Sequence, residues 1–468
     1  MHYRCNQLTT SIPNGVAIVR VAVIGLGPAG LFMAAGLARR GHDVVAVERD
    51  AGPAADGQWP RRGVMQFHHA HAFRPQVAQA LEQELPDMLP RWFAAGAEPV
   101  EMSLPDGSKV PMGVRCRRTT FERVLRATAL EQPGLQVRHG HVDSVVSARG
   151  RAIGVRVAGP QLDADLVIDA SGRSGRATRS LRPAPASGGR CGIAYVDRQY
   201  QLLPGAAPGP LLNPIAWQGD FDGYQSIIFV HEHGIFSVLL VRPDTDRVLG
   251  QLRHEAAFAA ACRAIPGLAD WTDPDRARPI TPVLAGGPLL NAYRGQTSDD
   301  GRLALPGLVF VGDAVATTTP TFGRGVTTTL LQAQQLLRLI DEHGSDLSAV
   351  GEGFDAWCAE QIKPWVDDHV RMDDATQRRW AGKGLDLTQP LPSDHILAAA
   401  KVDPSIFPAT FGYLSMTALP ASLQAAEPRA RAVYETGWRP PFAAGPNRDE
   451  LADIVETAMR TSPELAPV

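Results

Sequence analysis

The chain has 468 residues, enough for two or three packed domains, with 44% hydrophobic and 20% charged residues and a formal net charge of -3, a balance ordinary for a globular protein. That charge provides no basic field of the kind a phosphate backbone demands, which argues against nucleic acid as a partner. Cys5, Cys116, Cys191, Cys262 and Cys358 show no C-x-x-C spacing, no run approaches the ~18 apolar residues of a membrane span, and the N-terminus lacks a signal-peptide layout, so free thiols, no membrane span and a cytoplasmic location are expected.

From Val16 to Ile24 the run VAIVRVAVI is apolar and β-branched apart from Arg20, as a strand buried on both faces of a parallel sheet is. The residues before it read as a tail. GLGPAG follows, then a helical stretch LFMAAGLARR closed by Gly41, then a strand DVVAV ending at Glu48 and Arg49; together they make a β-α-β unit. QVAQALEQELPDMLPRWFAAG carries apolar residues at helical intervals and predicts a helix, TTFERVLRATAL a second, LQVRHGHVDSVV a strand, and ADLVIDASG a buried strand ending on a turn. Between about Arg182 and Tyr293 strand-like alternation with Pro and Gly breaks, as in YQSIIFVHEHGIFSVLLV, predicts an antiparallel sheet. GLVFVGDA restores a buried strand feeding a helix near Gly325, and from about Ser345 onward the chain reads as helical with Pro-rich breaks.

The expected architecture is therefore α/β: a doubly wound, Rossmann-like nucleotide domain in two parts (16–181 and 300–344), an inserted antiparallel substrate domain (182–299) and a helical C-terminal region (345–468). Residues 63–111 would contribute to the ligand side.

Two motifs carry the chemistry. Gly25, Gly27 and Gly30, with Pro28 and Ala29 between them, form G-x-G-x-x-G directly after a strand and opening a helix, where backbone can approach a pyrophosphate at the helix N-terminus. Glu48 ends the next strand, placed to accept from ribose hydroxyls. Far along the chain, Gly312 and Asp313 follow the strand LVFV, and the run continues through Pro320, Gly323 and Gly325 to Val326. A carboxylate at that strand end can hold the ribityl hydroxyls of a flavin, and a Gly-rich helix start aims N–H groups at the pyrimidine edge of its ring. The second motif thus favours FAD over NAD as resident cofactor.

GLGPAG, Glu48 and GDAVATTTPTFGRG together resemble the FAD-binding fingerprints of the para-hydroxybenzoate hydroxylase superfamily, over about Val19 to Ile340. The resemblance implies an FAD-dependent monooxygenase that transfers oxygen from a flavin C4a-hydroperoxide, hydroxylating or epoxidising a small aromatic or alkene-containing metabolite. A reductase or dehydrogenase acting without oxygen insertion is the alternative. Arg118 in RTTFERVL is similar to the family's polar residue at a helix start beside the flavin, and Arg61 in RRGV to its pyrophosphate-contacting arginine. Arg49 completes the expected cofactor contacts; no catalytic residue can be named.

The loop from Arg61 to His71 is similar to one in the epoxidase-like branch, with Met65 where Pro is more usual. His68, His69 and His71 form H-H-x-H without a nearby acid, which points to packing or hydrogen bonding and not to a metal site. ADLVIDASGRSG, around Asp169 and Gly172, departs from the Asp-Gly form of hydroxylases that bind NAD(P)H themselves, and no second nucleotide motif follows. NAD(P)H is the expected electron source, acting at the flavin or through a partner flavin reductase, with the small-molecule substrate and molecular oxygen as the other partners. The lysine and W-x-W-x-I-P stretch of related flavin halogenases are missing, with no lysine before Lys109, which disfavours halogenation.

Overall fold

The computed structural model describes residues 19–61, 63–103, 107–298 and 300–461. The expected tail, the start of the first strand at 16–18 and Cys5 lie outside them.

In chain order the first elements are β1 (Arg20–Ile24), α1 (Pro28–Arg39), β2 (Asp43–Glu48), α2 (Pro75–Glu84), α3 (Met88–Ala94), β3 (Glu98–Ser103), β4 (Lys109–Arg115), α4 (Arg118–Leu130), β5 (Leu135–His139), β6 (Val142–Ala148), β7 (Arg151–Val157), β8 (Gln161–Asp163) and β9 (Leu166–Asp169). There follow β10 (Ser187–Arg190), β11 (Ile193–Leu202), β12 (Ala216–Phe221), β13 (Tyr224–Val230), β14 (Ile235–Pro243), α5 (Glu255–Ala264), α6 (Pro266–Thr272), β15 (Ala277–Pro279), β16 (Leu284–Gly286), β17 (Leu290–Tyr293), β18 (Leu308–Phe310) and β19 (Ala316–Thr317). Helices complete the chain: α7 (Gly325–His343), α8 (Leu347–Gln361), α9 (Lys363–Trp380), α10 (Ser393–Ala399), α11 (Phe407–Leu414), α12 (Glu427–Glu435) and α13 (Arg448–Thr461).

The nucleotide-type sheet has the order β18-β9-β1-β2-β5, and every pairing in it is parallel. Its central strands β1 and β9 are buried on both faces, which is why they read as apolar runs and not as alternations, whereas the edge strand β5 is partly exposed. Val23, Phe32, Val44, Ile168, Phe310 and Leu337 share the core that joins this sheet to α1 and α7. The second large sheet runs β12-β13-β14-β11-β15 and is antiparallel. One face of it, including Ile193, Tyr195, Ile227, Phe229, Leu239 and Val241, packs toward Ala72 and Met112. Its other core, containing Phe236, Leu240, Phe258 and Trp271, is closed by Leu451, Ala452 and Val455 of α13.

Two sequence expectations differ in detail. The helix expected across QVAQALEQELPDMLPRWFAAG is broken into α2 and α3, because Pro86 forces Leu85 out of helical geometry (φ -137, ψ 60). The strand expected across LQVRHGHVDSVV is two: β5 lies in the parallel sheet, and Gly140, at φ 156, turns the chain into β6 of a separate antiparallel β6-β7-β8 sheet. The four described cysteines are buried and form no disulfide. Among the described residues no helix is long and apolar enough to cross a membrane.

Candidate functional site

The C-terminal ends of β1, β2, β9 and β18 open onto one cavity of about 460 Å³, the place where open parallel sheets bind ligands. At the end of β1, Gly25 adopts φ +89 and its N–H donates to Val47 O at 2.8 Å. A Cβ on Gly30 would stand 1.9 Å from Gly25 O, so α1 sits directly against its own turn, whereas a Cβ on Gly27 would meet no protein atom within 4 Å. Bare backbone at Gly27 thus faces the cavity, and α1 begins there with Pro28 and no side-chain cap. Such an uncapped N-terminus carries partial positive charge and unsatisfied N–H donors.

Glu48 braces that turn. Its carboxylate accepts from Leu26 N–H at 2.7 Å and Asp50 N–H at 3.0 Å, and from Arg61 at 3.3 Å. Arg61 lines the cavity, yet its guanidinium is buried and committed to protein acids: Glu48, Asp50 at 3.4 Å, and Glu122 of α4. It also stacks over Trp59 at 5.0 Å. Arg118, at the start of α4, pairs with the other oxygen of Glu122 and reaches His71 Nε2 at 3.4 Å. Arg49 is exposed at the cavity edge.

At the far end of the cavity, Gly312 N–H is held by Gln332 at 2.9 Å behind the wall. Asp313 projects into the cavity half-buried, and no side-chain hydrogen bond to protein engages its carboxylate among the described residues. Burial pushes its pKa up, opposed by Arg118, Arg173 and Arg182. Beyond it, Thr317, Thr318, Thr319, Pro320, Gly323, Gly325 and Val326 line the wall, and α7 begins without a side-chain cap. The wall is pinned from behind. Thr319 N–H donates to Asn291 at 2.8 Å, its hydroxyl bonds His369 at 2.8 Å, and Arg324, at the start of α7, pairs with Asp368 at 3.1 Å while lying 4.6 Å from the Trp365 and Tyr413 rings.

The structure therefore brings Gly25, Gly27, Pro28, Ala29, Glu48, Arg49, Arg61, Arg118, Asp313, Pro320, Gly323, Gly325 and Val326 to one cavity, with Gly30 and Gly312 just behind it. Sequence reasoning passed over Arg173, Arg176 and Tyr195, which also line it, as does His71, read from sequence only as packing or hydrogen bonding. For Arg173 and Arg176 a signal was present: two arginines in a glycine-rich turn directly after a buried strand. The histidine loop is tied by hydrogen bonds: His69 Nδ1 to the Tyr195 hydroxyl at 2.7 Å, and His71 Nδ1 to His69 O at 2.9 Å. Burial lowers the His69 pKa to about 4 and takes His71 well below the usual imidazole value, with neighbouring charge adding to the effect, so both rings are neutral at pH 7. Asp169 is consumed internally by Ser171, Thr178 and Arg182, the last at 2.6 Å.

The cavity thus has an uncapped helix start at each end, a bracing acid near the first and, near the second, an acid unpartnered among the described residues, and the fold that carries it is the one seen in FAD-dependent monooxygenases and halogenases. The chain is similar to the flavin-dependent brominase Bmp2 (a triple mutant; TM-score 0.60, 17% identity, 89% of this chain and 99% of that chain). It is also similar to pqsL, a probable FAD-dependent monooxygenase from Pseudomonas aeruginosa (TM-score 0.56, 16% identity, 78% and 99%), and to an HpxO variant from Klebsiella pneumoniae complexed with FAD (TM-score 0.55, 17% identity, 76% and 90%). In sequence it is 27% identical over 438 residues to Protein Rv3254 of Mycobacterium tuberculosis, covering 82% of this chain and 86% of that protein. The family described as Lycopene cyclase protein matches residues 20–189.

Proposed function

We propose that the protein is an FAD-dependent monooxygenase that hydroxylates or epoxidises a small aromatic or alkene-containing molecule. The observation that carries the cofactor reading is Asp313: a carboxylate on a cavity wall, unpartnered among the described residues, is an acceptor waiting for hydroxyl donors, and it stands between an acid-braced glycine turn and a second uncapped helix start. The residues present fit FAD along its length. Glu48 would take the ribose, the Gly27–Gly30 helix start and the cavity arginines the diphosphate, Asp313 the ribityl chain, and the start of α7 the pyrimidine edge.

Bound FAD supplies two-electron redox chemistry and, once reduced, activation of oxygen. The protein's own part is positioning and exclusion of water. The N-terminus of α7 favours negative charge on the pyrimidine edge, Arg118 stands as a cation beside the same wall, and the neutral His69 and His71 keep the substrate side free of ionised imidazole.

Electrons would come from NAD(P)H, at the flavin or through a partner flavin reductase. The internal commitment of Asp169 supports the second route, since that carboxylate has Arg182 as its ion-pair partner and no free role at the cavity. The halogenase likeness is one of fold. Lys109 is exposed on β4, 3.9 Å from Glu101, and does not line the cavity. The match to Lycopene cyclase protein covers the nucleotide-binding part and bears on cofactor binding more than on the reaction.

The test has two steps. Denaturing the purified protein should release FAD; recovery of NAD only, or no flavin after reconstitution, overturns the cofactor reading. Mixing anaerobically reduced enzyme with oxygen should then incorporate one labelled oxygen atom into an accepted substrate. Substrate turnover with no label incorporated favours the reductase or dehydrogenase alternative.

A further inference from the structure

The loop from Val64 to Ala72 walls the cavity on the side of the antiparallel sheet, and one strand of that sheet holds it. Alternate residues of a strand share a face, and three of them on β11 each take one residue of the loop. Gln199 Nε2 donates to His68 O at 2.6 Å, Asp197 Oδ2 accepts from Ala70 N–H at 2.6 Å, and the Tyr195 hydroxyl bonds His69 Nδ1 at 2.7 Å.

The middle residue is chemically out of place. Asp197 is fully buried, no cation pairs with it among the described residues, and its Oδ1 makes no hydrogen bond of good geometry. Its surroundings are Leu239 of β14, Leu284 of β16 and the loop itself. The titratable groups nearby are Tyr195 on its own strand and the loop histidines His68, His69 and His71; β14 adds the uncharged Ser237, which has only a weak lowering effect, and β16 adds none. A neutral amide would hold Ala70 as well without the burden of burying a carboxylate. Burial pushes its pKa up to about 7, against the lowering effect of the Ala70 N–H and Ser237.

From Ala70 the connection continues to the cavity. A carbonyl oxygen only accepts, so the 2.9 Å contact of His71 Nδ1 with His69 O places the imidazole proton on Nδ1 and leaves the Nε2 lone pair facing Arg118 Nη1 at 3.4 Å. Ala70, His71 and Arg118 all line the cavity. We propose that Asp197 is a positioning residue for the substrate-side wall: its carboxylate fixes the Ala70 amide and, through His71, the Arg118 guanidinium, so that the polarity beside the bound cofactor follows the ionisation of a group that touches neither cofactor nor substrate. This rests on the FAD reading above.

The experiment is a pH titration of the absorbance and fluorescence of protein-bound FAD, substrate-free, for wild type, Asp197→Asn and Asp197→Leu. Wild type should show one transition with a midpoint near the value of about 7 given above. Asp197→Asn, which keeps an acceptor but cannot titrate, should retain FAD and lose the transition. That variant should resemble low-pH wild type throughout, because a neutral amide and a protonated carboxyl both still accept from Ala70 N–H; Asp197→Leu, with no acceptor, should lose the transition too and match neither limb of the wild-type titration. A transition that persists in Asp197→Asn, or its absence from wild type, overturns the proposal. Failure of wild type to retain any flavin instead overturns the FAD reading on which it rests. Should the variants not fold, infrared titration of the wild-type carboxyl band decides: it must titrate together with the flavin transition, and a separate midpoint refutes the coupling.

Discussion

Replacing Asp313 by Asn should move cofactor affinity and apo-protein stability in opposite directions. The carboxylate faces the cavity with no protein donor among the described residues, and burial raises its pKa. Hydroxyl donors from a ribityl chain would each bond a charged acceptor, and one such bond contributes roughly 1.5–3 kcal/mol. Its loss corresponds to about 10- to 150-fold weaker FAD binding. In the apo protein the sign reverses. A group whose folded pKa lies above its unfolded value stabilises the fold below the unfolded pKa, and that contribution is lost as pH rises through the folded pKa. Wild-type apo protein should therefore lose stability above the ordinary carboxyl range, and Asp313→Asn should not. Binding of FAD should also release a proton in that window, so wild-type affinity rises with pH while the variant's stays flat. Fluorescence titration of apo protein with FAD, alongside apo melts from about pH 4 to 8, reads all three effects. An Asp313→Asn protein that binds FAD as tightly as wild type, or whose apo form melts lower at every pH, would refute the assignment.

Other substitutions separate structure from binding. Arg61→Met should cost up to about 3–5 kcal/mol in urea unfolding of the apo protein, because it leaves buried Glu122 with Arg118 alone and buried Glu48 with only its two backbone N–H donors; an arginine serving phosphate alone would leave apo stability unchanged. Gly30→Ala should cripple folding, since its Cβ would collide with Gly25 O. Gly27→Ala should fold and melt normally as apo protein, yet bind FAD more weakly, because its Cβ would enter the cavity and not the protein; the pair is compared by apo melting and FAD titration. Anaerobic mixing with NADH or NADPH alone should bleach the bound flavin more slowly than turnover supported by an added flavin reductase, and bleaching at the turnover rate would show the enzyme to be self-sufficient.

The parallel sheet and both ends of the cavity were legible because their signals are local: a glycine turn after a buried strand, and an acid at the end of another. What depended on distant partners was not. Arg61 reads from sequence as a phosphate ligand, but Glu122, the partner that occupies it, lies on α4 with its own helical pattern to satisfy. Tyr195, Asp197 and Gln199 sit in a strand whose alternation was visible, yet which loop their shared face would meet is set by how the two sheets pack. Pro86 was in plain view, and it splits the helix that apolar periodicity alone predicts as continuous.

The packing of α13 has a consequence for how the chain acquires its structure. Leu451, Ala452 and Val455 complete the core of a sheet whose other helices, α5 and α6, are made of residues 255–272. During synthesis that sheet must wait, with Phe258 and Trp271 incompletely covered, while everything from 273 to 447 emerges. Closing so long a loop adds little entropy cost per added residue but delays the contact. The antiparallel sheet is thus exposed to aggregation until α13 has been made, and a substitution that displaces α13 should appear first as insoluble protein and only afterwards as lost flavin.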